Sequence, residues 1–143
     1  MYFRQEKNYF KLDIDGYEFP NADEYYDSNW LIVSVRCSYN DDQWEARDSC
    51  LLTFELKNIK AWFNAIILGA HEEYLTFMES ELAFKYKADS EILSIALNYN
   101  LHIRESKHET PYVMKFKLRK HEISYIVNAV DKLINKYPER LSE

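Results

Sequence analysis

The residues that most often carry metal chemistry are scattered along this 143-residue chain. No two histidines lie within four residues of each other, and neither cysteine lies close to a histidine in the sequence. Zinc-binding and metalloprotease motifs need such ligands at short, regular spacing. The sequence therefore predicts no metal centre and no cofactor. The histidines are interpreted as partly exposed side chains: His71, His102, His108 and His121.

A cysteine nucleophile is one catalytic hypothesis that the residue types allow. Cys50 lies just before a predicted helix, and a helix N-terminus lowers the pKa of a thiol. Either His71 or His102 could then act as its base, which makes a small cytosolic enzyme one alternative. A pair of carboxylates in a cleft would serve an enzyme equally well. Against the nucleophile, Cys50 is followed by two leucines, which is typical of a core segment.

One short segment combines carboxylates with aromatic side chains. Residues 23–27 hold three acids and two tyrosines, and they lack the alternation of a strand. Tyrosine is favoured at protein interfaces, because its ring contributes a large contact area at a low entropy cost. The alternative is that one ring packs under the sheet and the acids are merely solvated. We predict that this segment binds a partner through Asp23, Glu24, Tyr25, Tyr26 and Asp27.

The charge balance predicts the kind of partner. Asp and Glu total 24 against 18 Lys and Arg, which gives a formal net charge of -6. Domains that bind nucleic acid usually carry a basic surface, so the sequence argues against a nucleic-acid partner. An acidic surface instead attracts a basic protein over a long range. Asp41 and Asp42, in a predicted turn, are the second choice for that contact.

Alternating apolar residues near the N-terminus predict strands. A first hairpin of residues 2–5 and 9–15 is predicted to place Phe3 opposite Phe10. The alternation is lost over residues 16–29, which are predicted to form an acidic loop.

The next hairpin is predicted to close through a four-residue turn at 40–43. This register pairs Val33 with Cys50. Because Cys37 lies four residues from Val33 on the same strand, the two cysteines are expected about 13 Å apart. A disulfide cannot span that distance, so both thiols are predicted to be free.

Two amphipathic helices follow from apolar residues at helical spacing. The first is predicted over residues 54–68, with Thr53 as its N-cap and Gly69 as its stop. The second is predicted over residues 123–137 and ends before Pro138.

A second set of alternating residues lies between these helices. The turn at Asp89-Ser90 predicts that Phe84 pairs with Ile95, so that every rung of this hairpin places apolar against apolar. The remaining predicted segments are a short strand near 75–77, a polar loop at 104–110 and a strand at 112–118.

This order of elements predicts an α+β fold. We expect a curved, largely antiparallel sheet of about eight strands (β4-α-β4-α), with the two helices packed on its apolar face. Splitting into two sheets remains open. The length predicts a single domain over residues 1–143. No apolar run is long enough for a membrane span or a signal peptide, so the cytoplasm is the expected location.

Part of the chain resembles the WapI family of immunity proteins from bacterial polymorphic-toxin systems. The similar motifs include an Asn-Trp-Leu core at residues 29–31 and a Leu-Leu-Thr-x-Glu-Leu helix start at 51–56. Phe54 stands where the family usually has Trp. The matching residues lie in segments 16–20, 26–33, 44–46 and 50–56.

The resemblance implies a small cytosolic protein that binds and neutralises a cognate contact-delivered toxin. In the family's namesake, the toxin carries a C-terminal nuclease domain that attacks tRNA. The implied partner is therefore the C-terminal domain of a toxin. The resemblance implies that this protein is not an enzyme and that it inhibits the toxin by stoichiometric occlusion. Besides an enzyme, a non-catalytic homo-oligomeric domain remains an alternative.

Overall fold

The computed structural model describes residues 1–103 and 110–141. Within these ranges the chain forms two antiparallel sheets of four strands each and three helices. The first sheet contains β1 (Tyr2–Gln5), β2 (Asn8–Tyr17), β3 (Trp30–Tyr39) and β4 (Asp42–Leu52). The second contains β5 (Tyr74–Leu75), β6 (Leu82–Lys87), β7 (Ile92–Leu97) and β8 (Tyr112–Lys117). The helices are α1 (Tyr25–Asn29), α2 (Thr53–Ile67) and α3 (Lys120–Lys136).

The α+β class is confirmed, but the expectation of one eight-stranded sheet is wrong. Each meander pairs only with itself, in the orders β1-β2-β3-β4 and β5-β6-β7-β8. The physical reason is that α2 separates β4 from β5 along the chain, and β5 is only two residues long. The predicted loop at 104–110 and His108 fall almost entirely outside the described residues.

Aromatic rings join the two sheets in one core. Phe3 of β1 lies 6.3 Å from Phe63 of α2 and 6.2 Å from Phe116 of β8, measured between ring centroids. Phe63 also lies 6.2 Å from Phe84 of β6. Helix α2 therefore packs against the apolar faces of both sheets, and the buried residues form one continuous cluster.

Two predicted registers are confirmed. Phe3 pairs with Phe10 across the first hairpin. Phe84 pairs with Ile95 across the β6–β7 hairpin. Both registers bury apolar side chains on one face, which a shift by one residue would expose.

The predicted register of the β3–β4 hairpin is wrong. Val33 pairs with Asp48 instead of Cys50, because the turn is tighter than predicted. Asn40 and Asp41 both adopt a positive φ, at 49° and 71°, which is typical of a two-residue hairpin turn. The prediction of free thiols is nevertheless confirmed, since both cysteines are buried and unpaired.

The prediction of an irregular loop over residues 16–29 is wrong at both ends. Strand β2 continues to Tyr17, and α1 forms a five-residue helix. Glu24 caps this helix: its Oε1 accepts from the Tyr26 amide at 3.2 Å and its Oε2 from the Asp27 amide at 2.9 Å. Such a short helix depends on its cap, because its first-turn amides have no helical partner.

Thr53 is not the N-cap of α2 but its first residue. The Glu55 carboxylate takes the capping role, because its Oε1 accepts from the Leu52 amide at 3.0 Å. The Thr53 hydroxyl instead donates to the Asn29 side chain at 2.8 Å. Gly69 ends the helix as predicted, with a positive φ of 72° that suits glycine.

The helices can be compared with what a membrane span requires. Among the residues that the structure describes, no helix combines the length and the apolar character that crossing a bilayer requires.

Candidate functional site

The acidic segment, residues 23–27, stands on the surface at the end of the first sheet. Asp23, Glu24, Tyr26 and Asp27 are exposed, while Tyr25 is half-buried. The two tyrosine rings meet edge to face with centroids 5.3 Å apart. Burial and the neighbouring Glu139 carboxylate both raise the pKa of Tyr25. The segment thus offers an exposed aromatic ring between carboxylates.

Arg140 fixes the base of the acidic segment. Its guanidinium donates to the carbonyl oxygens of Ser28 at 2.7 Å, Pro20 at 2.7 Å and Phe19 at 2.9 Å. Its backbone amide donates to the Asn29 side chain at 2.8 Å. These contacts join the C-terminal segment to both ends of the stretch that carries the acids.

Replacing Arg140 with alanine is expected to loosen the acidic segment. The three carbonyl acceptors lose a charged donor, so the free energy of unfolding should fall by about 1–3 kcal/mol. Hydrogen exchange of the amides in residues 18–29 should accelerate, while exchange in β6 and β7 stays unchanged. Arg140→Lys is the matched control. Lysine keeps the positive charge but lacks the planar guanidinium that donates to three carbonyl oxygens at once, so it should restore only part of the amide protection against exchange. Unchanged exchange in Arg140→Ala would contradict this role.

The second predicted pair, Asp41 and Asp42, lies in the β3–β4 turn. Both side chains are exposed, and Asp42 Oδ2 accepts from the Tyr112 hydroxyl at 2.8 Å. Strand β3 has ten residues and separates this turn from the acidic segment. At about 3.3 Å per residue, the two ends of β3 lie about 30 Å apart. The structure therefore does not bring the two predicted partner-binding groups, the acidic segment and the pair Asp41 and Asp42, together.

The predicted cysteine nucleophile lies in an environment that opposes its activation. Cys50 is only 1% exposed. Burial raises the pKa of its thiol strongly, and the nearby carboxylates of Asp48, Glu81 and Glu55 raise it further. Burial also raises the pKa of Cys37 to about 12. Nucleophilic cysteines need the opposite, an electropositive and partly exposed setting.

The two histidines considered as bases make structural contacts. His71 Nε2 lies 3.2 Å from the Tyr86 carbonyl oxygen, and its ring packs edge-on against that tyrosine at 5.4 Å. His102 Nδ1 lies 2.9 Å from the carbonyl oxygen of Ile103. The structure places both rings against backbone carbonyls.

A buried cluster that the sequence analysis did not select lies between the sheets. Asp48 of β4, Cys50 of β4 and Glu81, just before β6, place potential ligand atoms within 4.8 Å of one another. Burial, followed by the adjacent Asp48 carboxyl group, raises the pKa of Glu81 to about 7. No sequence motif signals this cluster, because Glu81 lies far from the two β4 residues along the chain.

The outer face of the first sheet forms a groove of about 750 Å³. Its charges are largely paired, as in the Arg36–Glu45 contact at 2.8 Å and the Arg47–Asp15 contact at 2.9 Å. Tyr99 stands at its rim, 65% exposed and with a positive φ of 49°. This groove offers balanced charge, unlike the acidic segment.

The outer face of the second sheet carries a different surface, a groove of about 620 Å³. Small and apolar side chains line its floor, and lysines stand around them. Tyr74 is 56% exposed, and the Lys85 ammonium lies 5.1 Å from the centre of its ring. The lining residues include Ala83, Lys87, Ser94, Ala96, Val113 and Lys115.

Comparison with known proteins identifies the family. The model of the immunity protein WapI-like family matches residues 1–138. The comparisons with curated proteins and with solved structures returned no match. The family match covers all of both sheets and all three helices, so it extends well beyond the segments whose motifs are recognisable in the sequence. The chain belongs to the WapI-like immunity protein family.

Proposed function

We propose that this protein neutralises one cognate bacterial toxin by binding it stoichiometrically and covering its active site or its substrate-binding surface. The observation that carries the proposal is the immunity-family match over residues 1–138. The proposed partner is the C-terminal domain of the toxin, a nuclease domain that acts in the same cytoplasm. Residues 1–143 act as one domain in this proposal.

The charge and shape of the surface support a basic partner. Nuclease domains bind polyanions, so their substrate grooves are basic and attract carboxylates. The acidic segment meets this need with Asp23, Glu24 and Asp27, and it adds the exposed Tyr26 ring as an anchor. Asp41 and Asp42 are a second, separate contact in this proposal.

The environment of the thiols supports binding over catalysis. The buried Cys50 is surrounded by carboxylates that disfavour its thiolate. An inhibitor needs no activated group, because occlusion depends only on complementary surfaces.

Co-expression with the product of the adjacent upstream gene tests the proposal. We expect that product to arrest growth alone, and we expect this protein to restore growth and to co-purify with it in a 1:1 complex. Rescue without a complex would contradict occlusion. Failure to rescue and to co-purify would contradict the proposed pairing.

A further inference from the structure

Three potential metal ligands meet in the interior, where the first sheet lies against the second. Asp48 and Cys50 belong to β4, and Glu81 directly precedes β6. Cys50 is 1% exposed and Glu81 is 8% exposed, while Asp48 is half-buried. Their ligand atoms lie within 4.8 Å of one another.

Two neighbouring carboxyl groups in a buried place need a compensating positive charge. They either share a proton or bind a cation, because two adjacent carboxylates repel each other. Glu81 Oε2 is buried and receives no hydrogen bond from an amide, hydroxyl or ammonium group of the described residues, and the Glu81 carboxyl group interacts with the side chain of Asp48. An unpaired buried oxygen costs free energy, so it marks a position that an additional group would satisfy.

We propose that Asp48, Cys50 and Glu81 form a binding site for one thiophilic divalent cation of the Zn²⁺ type. Zn²⁺ accepts one thiolate and two carboxylate oxygens as ligands. The Cys50 thiol is protonated without the cation, so binding releases its proton to solvent, and the cation supplies the positive charge that stabilises the thiolate. Hard cations such as Mg²⁺ and Ca²⁺ prefer oxygen ligands alone, so the thiolate selects against them. This inference does not depend on the proposed function.

The distances are compatible with coordination after small side-chain rotations. Because the three ligand atoms lie within 4.8 Å of one another, some point between them is no more than about 2.8 Å from any of the three. Bonds from Zn²⁺ to its ligands are about 2.0–2.3 Å long, so a ligand atom needs to move inward by no more than about 0.8 Å. Asn100 Nδ2 donates to Asp48 Oδ1 at 3.2 Å and orients that carboxylate, as outer partners of metal ligands commonly do.

The bound cation would connect elements that no strand pairing connects. Asp48 and Cys50 hold it from the first sheet, and Glu81 holds it from the connection between β5 and β6 of the second. Binding therefore stabilises the folded chain by mass action, because the unfolded chain does not hold these ligands together.

Cobalt substitution tests the site on the full purified chain. The chain is first stripped of metal with a chelator, and Co²⁺ is then titrated under reducing conditions. We expect one equivalent of Co²⁺ to produce a thiolate-to-cobalt charge-transfer band, and we expect Zn²⁺ to displace it. Zn²⁺ should also raise the melting temperature. Circular dichroism verifies that each variant is folded.

Two variants identify the ligands. Cys37→Ala leaves Cys50 as the only thiol, so the band should persist. Glu81→Gln should weaken Co²⁺ binding about tenfold or more, since even the loss of an outer partner of a ligand costs about 10–100-fold. Absence of the band in the folded wild-type chain would overturn the site and leave a shared proton between the carboxyl groups. Loss of the band in Cys37→Ala, or unchanged affinity in Glu81→Gln, would overturn this ligand set.

Discussion

Phe84→Ala is expected to lower the free energy of unfolding by about 3–5 kcal/mol, the usual cost of truncating a buried phenylalanine. The Phe84 side chain is 1% exposed and lies at the contact between α2 and the second sheet. Its ring centroid is 6.1 Å from that of Trp62 and 6.2 Å from that of Phe63. Truncation therefore leaves a cavity among aromatic rings that cannot easily collapse.

Ile95→Ala is expected to cost about 2–5 kcal/mol for the same reason. Because Phe84 and Ile95 are cross-strand partners, the double variant should be non-additive by about 0.5–3 kcal/mol. Chemical denaturation of the four proteins of this cycle measures the coupling. Val113→Ala, on the outer face of the same sheet and 40% exposed, is the control and should stay within about 0.5 kcal/mol. An unchanged midpoint for Phe84→Ala would contradict the packing of the second sheet on α2.

Neutralising Asp23 and Asp27 with asparagine is expected to slow toxin association about tenfold at low salt. The fold should be unaffected, because both side chains are exposed and neither side chain caps α1. Glu24 is left intact, since its loss would remove the cap of α1. The association rate should also become less sensitive to salt, because fewer charges contribute to the attraction.

A matched variant separates local attraction from net charge. Glu72→Gln combined with Glu79→Gln removes the same charge from two exposed residues on either side of β5. Stopped-flow measurement should find its association rate close to that of the wild type. Equal slowing by both pairs would assign the effect to net charge, and no slowing by Asp23→Asn/Asp27→Asn would move the interface elsewhere.

Tyr26→Ala adds an independent measurement on the same segment. The Tyr26 ring is 48% exposed, so its loss should hardly change stability. An aromatic anchor at an interface contributes about 2 kcal/mol or more, so dissociation should accelerate about 30-fold.

A strand register was predictable from the sequence where the pattern of apolar residues and the position of the turn were both recognised correctly. In the β6–β7 hairpin each pair on one face is apolar, which excludes a shift by one residue, and the predicted turn at Asp89-Ser90 then gives the observed register. In the β3–β4 hairpin the predicted register differs by two residues: Cys37 pairs with Trp44 instead of Ala46. A shift of two keeps the same side chains inside, so the pattern of burial could not distinguish the two alignments.

The sequence pattern did not predict how the two meanders pack against each other. Alternation shows which face of a strand is buried, but not whether two meanders join edge to edge or pack around a helix. Helix α2 follows the first meander in the chain, and its Phe63 contacts Phe3 of the first sheet and Phe84 of the second. The cluster of Asp48, Cys50 and Glu81 depends on that same packing, which brings distant segments together.

The acidic segment was predicted from its composition, but the contacts of Arg140 that hold it in place were not predicted. Residues 23–27 were selected for their acids and tyrosines, and the structure places four of the five on the surface. The guanidinium contacts of Arg140 were not predictable, because they are directed at backbone carbonyls whose positions depend on the fold.

Titration of the toxin's activity with this protein tests the central claim most directly. A fixed amount of the cognate toxin domain, well above the dissociation constant, is mixed with increasing amounts of the purified chain. Stoichiometric occlusion predicts that activity falls linearly and reaches zero at one chain per toxin. Complete loss of activity at far less than one equivalent would indicate catalytic inactivation, and undiminished activity at several equivalents would show that this protein does not neutralise that toxin.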